Sequence, residues 1–224
     1  MTMKILRHVL ILLTATVLVM ASCDKQEDID RAYTHYRYDI VTYLGQNAAG
    51  AVFEYLGRGD SAAIRLQSAV DISKDVKVNH RVLLRYDFAS EATGGHRDID
   101  VYSCSAIFSD SIRVTANGLD SLPRHEVKLR SMWRTREFIN LHCQVEYTGK
   151  SRTLMLVADG ETLDKDTVHC YLAHDLRGEQ GTFWRDCYAS FNVGALWKRP
   201  SFHCLRVHLN DLTFPNNEFY DFTK

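Results

Sequence analysis

The chain is poor in the residues that keep a polypeptide unfolded or loosely jointed. Three prolines and twelve glycines in 224 residues, set against many Tyr, Phe and Val, exclude a disordered or low-complexity chain. Neither sign of charge is in excess, and the formal net charge is -1. That balance supplies no cationic surface to neutralise nucleic-acid phosphates and no polybasic patch for anionic lipid. Long hydrophobic runs are missing as well. The apolar run at residues 9–20 is about a dozen residues long, too short to span a bilayer as a helix. No phosphate loop, dinucleotide fingerprint, calcium loop or Gly-x-Ser-x-Gly elbow occurs, which removes the commonest cofactor and nucleophile signatures. There is no internal repeat, and no run is long and periodic enough to read as a helix.

What is present begins with that short apolar run. Lys4 and Arg7 precede it, and the small residues Ala21 and Ser22 separate it from Cys23. A positive start, a short apolar stretch and small residues at a cut site are the layout of an export signal. Cys23 falls where the apolar run ends and a charged segment begins. Residues 1–22 therefore read as a lipoprotein signal peptide and Cys23 as the lipidated first residue of the mature chain. The alternative is an ordinary secretory signal cut at Ala21-Ser22, with Cys23 incidental. A diacylated cysteine anchors a protein to one leaflet without a spanning helix. The expected place is the outer membrane, facing the periplasm or the cell surface. Residues 23–34 are polar and mostly acidic, unable to build a core, and read as a solvated tether. An acidic run here also resembles the surface-export signals of lipoproteins in some Gram-negative anaerobes.

From Tyr36 onward the apolar pattern has period two, the mark of half-buried strands. Strands are read at residues 36–44, 51–56, 63–66, 81–88 and 99–108, with a short extra one at 112–115. Five or six such strands suit a small OB-like barrel over residues 35–118. Turn residues at 117–123 break the pattern, and residues 119–224 are read as a second domain. Its clearest strand puts Ile139, Leu141, Cys143, Val145 and Tyr147 on one face. Asn140, His142, Gln144 and Glu146 take the other, giving a core side and a wet side. Strands at 153–157, 168–173, 188–193 and 204–209 complete an antiparallel β-sandwich. The fold class is all-β: an N-terminal OB-like barrel followed by a C-terminal sandwich.

Six cysteines occur, and removing Cys23 leaves Cys104, Cys143, Cys170, Cys187 and Cys204. An odd number leaves at least one thiol without a partner inside the molecule. Each lies in a strand-like run rather than a loop, so packing as small hydrophobes is the default, with one or two bridges at most.

Several of these segments together resemble the NigD-like family of exported lipoproteins. They are Arg81-Val-Leu-Leu-Arg-Tyr86, Trp133 with Ile139-Asn-Leu-His142, Tyr171-Leu-Ala-His-Asp175, Ser190-Phe-Asn-Val193 and Arg206-Val-His-Leu-Asn210. The resemblance covers nearly the whole mature chain, and its motifs are packing and turn signatures rather than active-site signatures. It implies an OB-like domain followed by a β-sandwich, and an association with bacteriocin production or immunity. It carries no catalytic residues. This chain departs from the family in a higher cysteine count and in weak glycine signals at the strand openings of its first domain.

Three His-Cys pairs, at 142–143, 169–170 and 203–204, have the residue types of a zinc site. Adjacent residues on a strand point to opposite faces, so neither member of a pair reaches the metal that the other holds. No metal or cofactor is expected. Cys187 with His174 and the neighbouring Asp175 and Asp186 suggests a nucleophile and base, but Cys187 continues the apolar face of Ala189, Phe191 and Val193. A thiol buried in apolar surroundings is inert. Tyr36, Tyr38, Tyr43, Phe53, Tyr55 and Tyr86 either fill the barrel or offer stacking platforms for a sugar or protein. The expectation is a non-catalytic binding module tied to the membrane through Cys23. Its partner is an envelope protein, a toxin or a glycan, and not a nucleic acid. A cysteine- or metal-dependent enzyme centred on the second domain and a purely structural envelope protein are the alternatives.

Overall fold

Alternating apolar and polar residues build fourteen strands among the described residues. The computed structural model describes residues 36–72, 76–149, 153–214 and 219–224. The signal peptide 1–22, Cys23 and the tether 23–34 lie outside these residues.

The first five strands are β1 (Arg37–Asn47), β2 (Gly50–Leu56), β3 (Ala63–Ser68), β4 (Arg81–Phe88) and β5 (His96–Ala106). They close into a barrel in the order β1-β2-β3-β5-β4. Val41, Tyr43, Phe53, Leu66, Leu84, Tyr86 and Ile99 fill its interior, alternate residues of each strand pointing inward. The register shifts at Leu44 on β1 and, opposite Arg85 and Tyr86, at Tyr102 on β5. Such bulges bend strands and raise their twist, which a barrel of only five strands needs in order to close.

The second half is a sandwich. A four-stranded sheet runs β6 (Phe108–Ser111), β12 (Phe183–Asn192), β9 (Phe138–Tyr147) and β8 (Lys128–Thr135). A five-stranded sheet runs β14 (Phe219–Thr223), β13 (Cys204–His208), β11 (Thr167–Asp175), β10 (Thr153–Asp159) and β7 (Arg113–Thr115). Leu129, Ile139, Leu141 and Phe191 from the first sheet pack against Leu156, Val168, Leu172 and Leu205 from the second. Each such side chain stabilises the fold by roughly 1.5–3 kcal/mol on burial. One helical turn, α1 (Gly194–Trp197), follows β12.

Three details differ from the sequence expectation. The short strand expected at 112–115 is β7, and a further strand, β6, follows the end of β5; both are hydrogen-bonded into the sandwich, β6 on β12 and β7 on β10. The chain thus feeds one strand to each sheet as it leaves the barrel, and two sandwich strands precede residue 118. These pairings and that of β11 with β13 are parallel, so both sheets are mixed around an antiparallel centre. Finally, Asn140, assigned to a wet side, is 0% exposed. The outer face of the four-stranded sheet at this point is covered by the barrel wall, through contacts described next.

Candidate functional site

The seam between barrel and sandwich is built around a charge. Arg81, at the start of β4, is 2% exposed and points out of the barrel into the four-stranded sheet. Its Nε donates to Ser190 Oγ at 3.2 Å and its Nη1 to Thr42 Oγ1 at 3.1 Å. Its Nη2 donates to the Ile40 carbonyl at 3.1 Å and to Asn140 Oδ1 at 3.3 Å. The guanidinium also lies over the Phe138 ring, 4.5 Å from its centre. Ser190 donates to Asn140 Oδ1, and Asn140 Nδ2 donates to Thr135 Oγ1, each at 2.9 Å. These hydrogen-bond partners of the guanidinium are neutral. Burial pulls the Arg81 pKa down to about 10, so the group is still charged at neutral pH. A second tie joins the β2–β3 loop to the end of β8. Arg134 grips Asp60 with two hydrogen bonds of 2.7 Å, and Gly59 N–H donates to the Arg134 carbonyl at 2.9 Å. The hydrogen bonds from Arg134 hold the Asp60 carboxyl below its usual range.

Beside these ties the two halves leave a cleft of 310 Å³. Its barrel wall is Tyr38, Asp39, Ile40, Tyr55, Leu56 and Arg58; its sandwich wall is Ser131, Trp133, Thr135, His142 and Tyr188. Strand register explains the second wall, because Ser131, His142 and Tyr188 are opposed across β8, β9 and β12 and share the outer face. The His142 and Tyr188 rings stack at 4.2 Å with 9° between planes, and His142 Nε2 lies 3.2 Å from Asp186 Oδ1. Burial, and then the Asp186 charge, raise the Tyr188 pKa. On the barrel side Tyr86, whose ring fills the interior, donates from its hydroxyl to Asp39 Oδ2 at 2.9 Å and fixes that carboxylate at the rim. Tyr38 is 57% exposed. The cleft therefore offers several aromatic faces with a carboxylate, an imidazole and a guanidinium around them. That combination suits flat or hydroxyl-rich surfaces, which stack on rings and hydrogen-bond at their edges. Ser131, His142 and Asp186 form a row of catalytic residue types. Ser131 and His142 face each other across the ladder, and His142 Nε2 is directed at Asp186 instead.

Residues 111–223, just over half of the chain, match the family described as the NigD-like C-terminal beta sandwich domain. The chain belongs to the NigD-like family. No curated protein sequence matches it. Among solved structures it is similar to a protein of unknown function from Bacteroides vulgatus, with a TM-score of 0.66 and 15% identity over 84% of this chain and 90% of that one. It is similar also to a NigD-like immunity protein from Bacteroides caccae (TM-score 0.56, 16% identity, 84% and 96% coverage). A candidate lipoprotein from Bacteroides fragilis gives a TM-score of 0.58 at 9% identity, with 84% and 96% coverage. At such identities the likeness speaks for the fold alone.

Within this NigD-like chain the aromatic residues singled out from the sequence divide cleanly. Tyr43, Phe53 and Tyr86 are barrel core, while Tyr38 and Tyr55 line the cleft. Tyr36 precedes the compact unit that residues 38–224 form. Trp133 and Tyr188 complete the cleft and were not among the sequence candidates; the fold, by laying the barrel on their face of the sheet, is what makes them neighbours of Tyr38. The His-Cys pairs split as strand alternation requires. His142 and His169 face outward, the latter hydrogen-bonded to His208 at 2.9 Å, while Cys143 and Cys170 are fully buried. His203 pairs instead with Asp166 at 2.7 Å. Among the described residues no three His, Cys, Asp or Glu side chains gather as a metal site would require. His174 and Cys187 sit on different sheets: His174, on β11, has its Nδ1 3.2 Å from the Glu126 carbonyl, and Cys187, on β12, is the register partner of Cys143.

Proposed function

We propose that this NigD-like protein is a non-catalytic binding module of the cell envelope, anchored through a lipid on Cys23, whose partner seats against the Tyr38–Trp133–Tyr188 cleft. The observation that carries the reading is the cleft itself: aromatic faces from barrel and sandwich converge beside a hydrogen-bonded seam. Anchoring is supported by the leader ending at Cys23 and by a fold shared with a candidate lipoprotein. Among the described residues no helix is long and apolar enough to cross a membrane. A link to bacteriocin production or immunity is supported by family membership and by the similarity to a NigD-like immunity protein. A proteinaceous toxin or an envelope protein is therefore the favoured partner, with a glycan next.

The test is a photo-crosslinking amino acid placed at Tyr38 in the full-length chain in living cells, compared with the same probe at exposed Val70 and with a Trp133→Ala background. One dominant crosslinked species from position 38, absent from position 70 and weakened about tenfold or more by Trp133→Ala (a stacking loss of roughly 1.4 kcal/mol or more), supports the reading. The same scatter of abundant envelope proteins from both positions would leave the cleft without a partner and sink it.

A further inference from the structure

The densest thiol chemistry of the molecule lies away from the cleft. Cys143 on β9 and Cys187 on β12 are direct register partners in a ladder that runs unbroken from Phe138–Asn192 to Tyr147–Phe183. Opposed residues of an antiparallel pair share a face and hold their Cα atoms about 4.5–5.5 Å apart. A disulfide spans Cα separations of about 4.4–6.8 Å. The backbone therefore already stands at bonding distance. Among the described residues Cys104, Cys170 and Cys204 have no cysteine opposite them in any ladder.

Access is one-sided. Cys143 is fully buried, whereas Cys187 is partly buried and lines an open groove of 670 Å³ with Ile107, Phe108, Val145, Leu154 and Arg185. The groove exists because β6 covers only Ala189–Asn192, leaving the first half of β12 without a second neighbouring strand among the described residues. Contact with Cys187 and burial push the Cys143 thiol up. Because Cys187 and not Cys143 lines the groove, Cys187 is the sulfur an outside disulfide meets first, and the buried Cys143 stands behind it.

We propose that Cys143 and Cys187 form a dithiol site that closes to a cross-strand disulfide by exchange with an organic disulfide, such as that of an envelope thiol oxidoreductase. Cys187 Sγ, as thiolate, attacks one sulfur of R–S–S–R and releases R–S⁻. Cys143 then gives up its proton to that leaving thiolate and attacks Cys187 Sγ, releasing the second R–S⁻, which takes a proton from solvent. Two protein thiols are oxidised to one disulfide, and one R–S–S–R is reduced to two R–SH.

Oxidised glutathione is the probe. The full-length protein is incubated with it, quenched in acid, denatured, alkylated and mapped by mass spectrometry, so burial does not hide a thiol. The expected result is a single peptide pair linking Cys143 to Cys187, a midpoint of thermal unfolding raised by roughly 10 °C, and reversal by dithiothreitol. A Cys143→Ser variant is expected to stop at a stable glutathione adduct on Cys187. Alkylation of all five thiols downstream of Cys23 after excess oxidant, or linkage through any other pair, would overturn the assignment. The wild-type map decides it even where a variant folds poorly.

Discussion

Arg81 brings a full positive charge into a setting where its hydrogen-bond partners are carbonyl, hydroxyl and amide oxygens and the face of a ring. A guanidinium tolerates this because its planar fork directs several donors at once and is weakly hydrated to begin with. Truncation to Ala would leave Asn140 and Ser190 buried without it. Arg81→Ala is expected to lose about 3 kcal/mol in urea unfolding, and Arg81→Lys most of that, since an ammonium cannot reach all four acceptors. Asn140→Ala combined with Arg81→Ala is expected to cost less than the two added separately, because they empty one network. A second residue-scale expectation concerns His208. Burial first, then His169, Arg206 and Arg124, outweigh Asp221 and lower its pKa from 6.5 to about 4. Between those values the unfolded chain binds a proton that the folded one refuses, so stability is complete above pH 6.5 and falls as pH drops toward 4. His208→Phe is expected to flatten that slope, read from unfolding midpoints between pH 4 and 7. At this scale the sequence is only half legible. Period two correctly placed Ile139, Leu141 and Cys143 on the core side of β9 and His142 and Asn140 opposite them. It carries no information on what another part of the chain lays over the outer side, and Asn140 looks like a surface residue until the barrel is placed.

Strand interiors were legible where alternation was unbroken and illegible where it slipped. The bounds of β4 and β9 follow directly from their patterns. β8 does not, because the register shifts between Leu129 and Ser131, so Leu129 and Met132, three residues apart, both meet the core. An extra residue in one strand reverses parity from that point on, which hides the alternation. β6 and β7 are too short, four and three residues, for periodicity to assign them to a sheet, and their parallel partners lie far along the chain. At the β1–β2 hairpin the constraint is local instead. Gly50 has φ 119°, and a Cβ there would stand 2.2 Å from the Ser68 carbonyl oxygen on β3. Gly50→Ala is expected to cost roughly 3 kcal/mol, measured by chemical unfolding, through backbone strain and the displacement of β3 rather than through any lost contact.

For the molecule as a whole, the barrel and the sandwich have separate apolar cores but a shared polar seam. Residues 38–224 behave as one compact unit, and Arg81 ties two barrel strands to β9 and β12 at once. A single calorimetric transition is therefore expected for the wild type, and two resolved transitions for Arg81→Ala, whose barrel and sandwich lose the tie but keep their cores. The Asp60–Arg134 pair, with Asp60 largely exposed, is worth much less: Asp60→Asn is expected to cost under about 1 kcal/mol and to leave one transition. The overall class, an all-β chain of barrel followed by sandwich, was readable from strand spacing. The cleft was not, since its two walls are more than seventy residues apart and meet only through the seam.

The burial of Asn140 and Ser190 beneath the barrel bears on how such a chain diversifies. A sandwich cut loose at residue 111 would show water a polar socket with its cation gone and the Phe138 ring laid bare beside it. The two halves are accordingly not interchangeable cassettes. A chimaera that grafts a different barrel onto this sandwich is compatible only if the incoming strand brings its own arginine to the socket, whereas the cleft residues Tyr38, Tyr55 and Arg58 sit outside that joint. Sequence change can accumulate at the rim while the joint stays fixed.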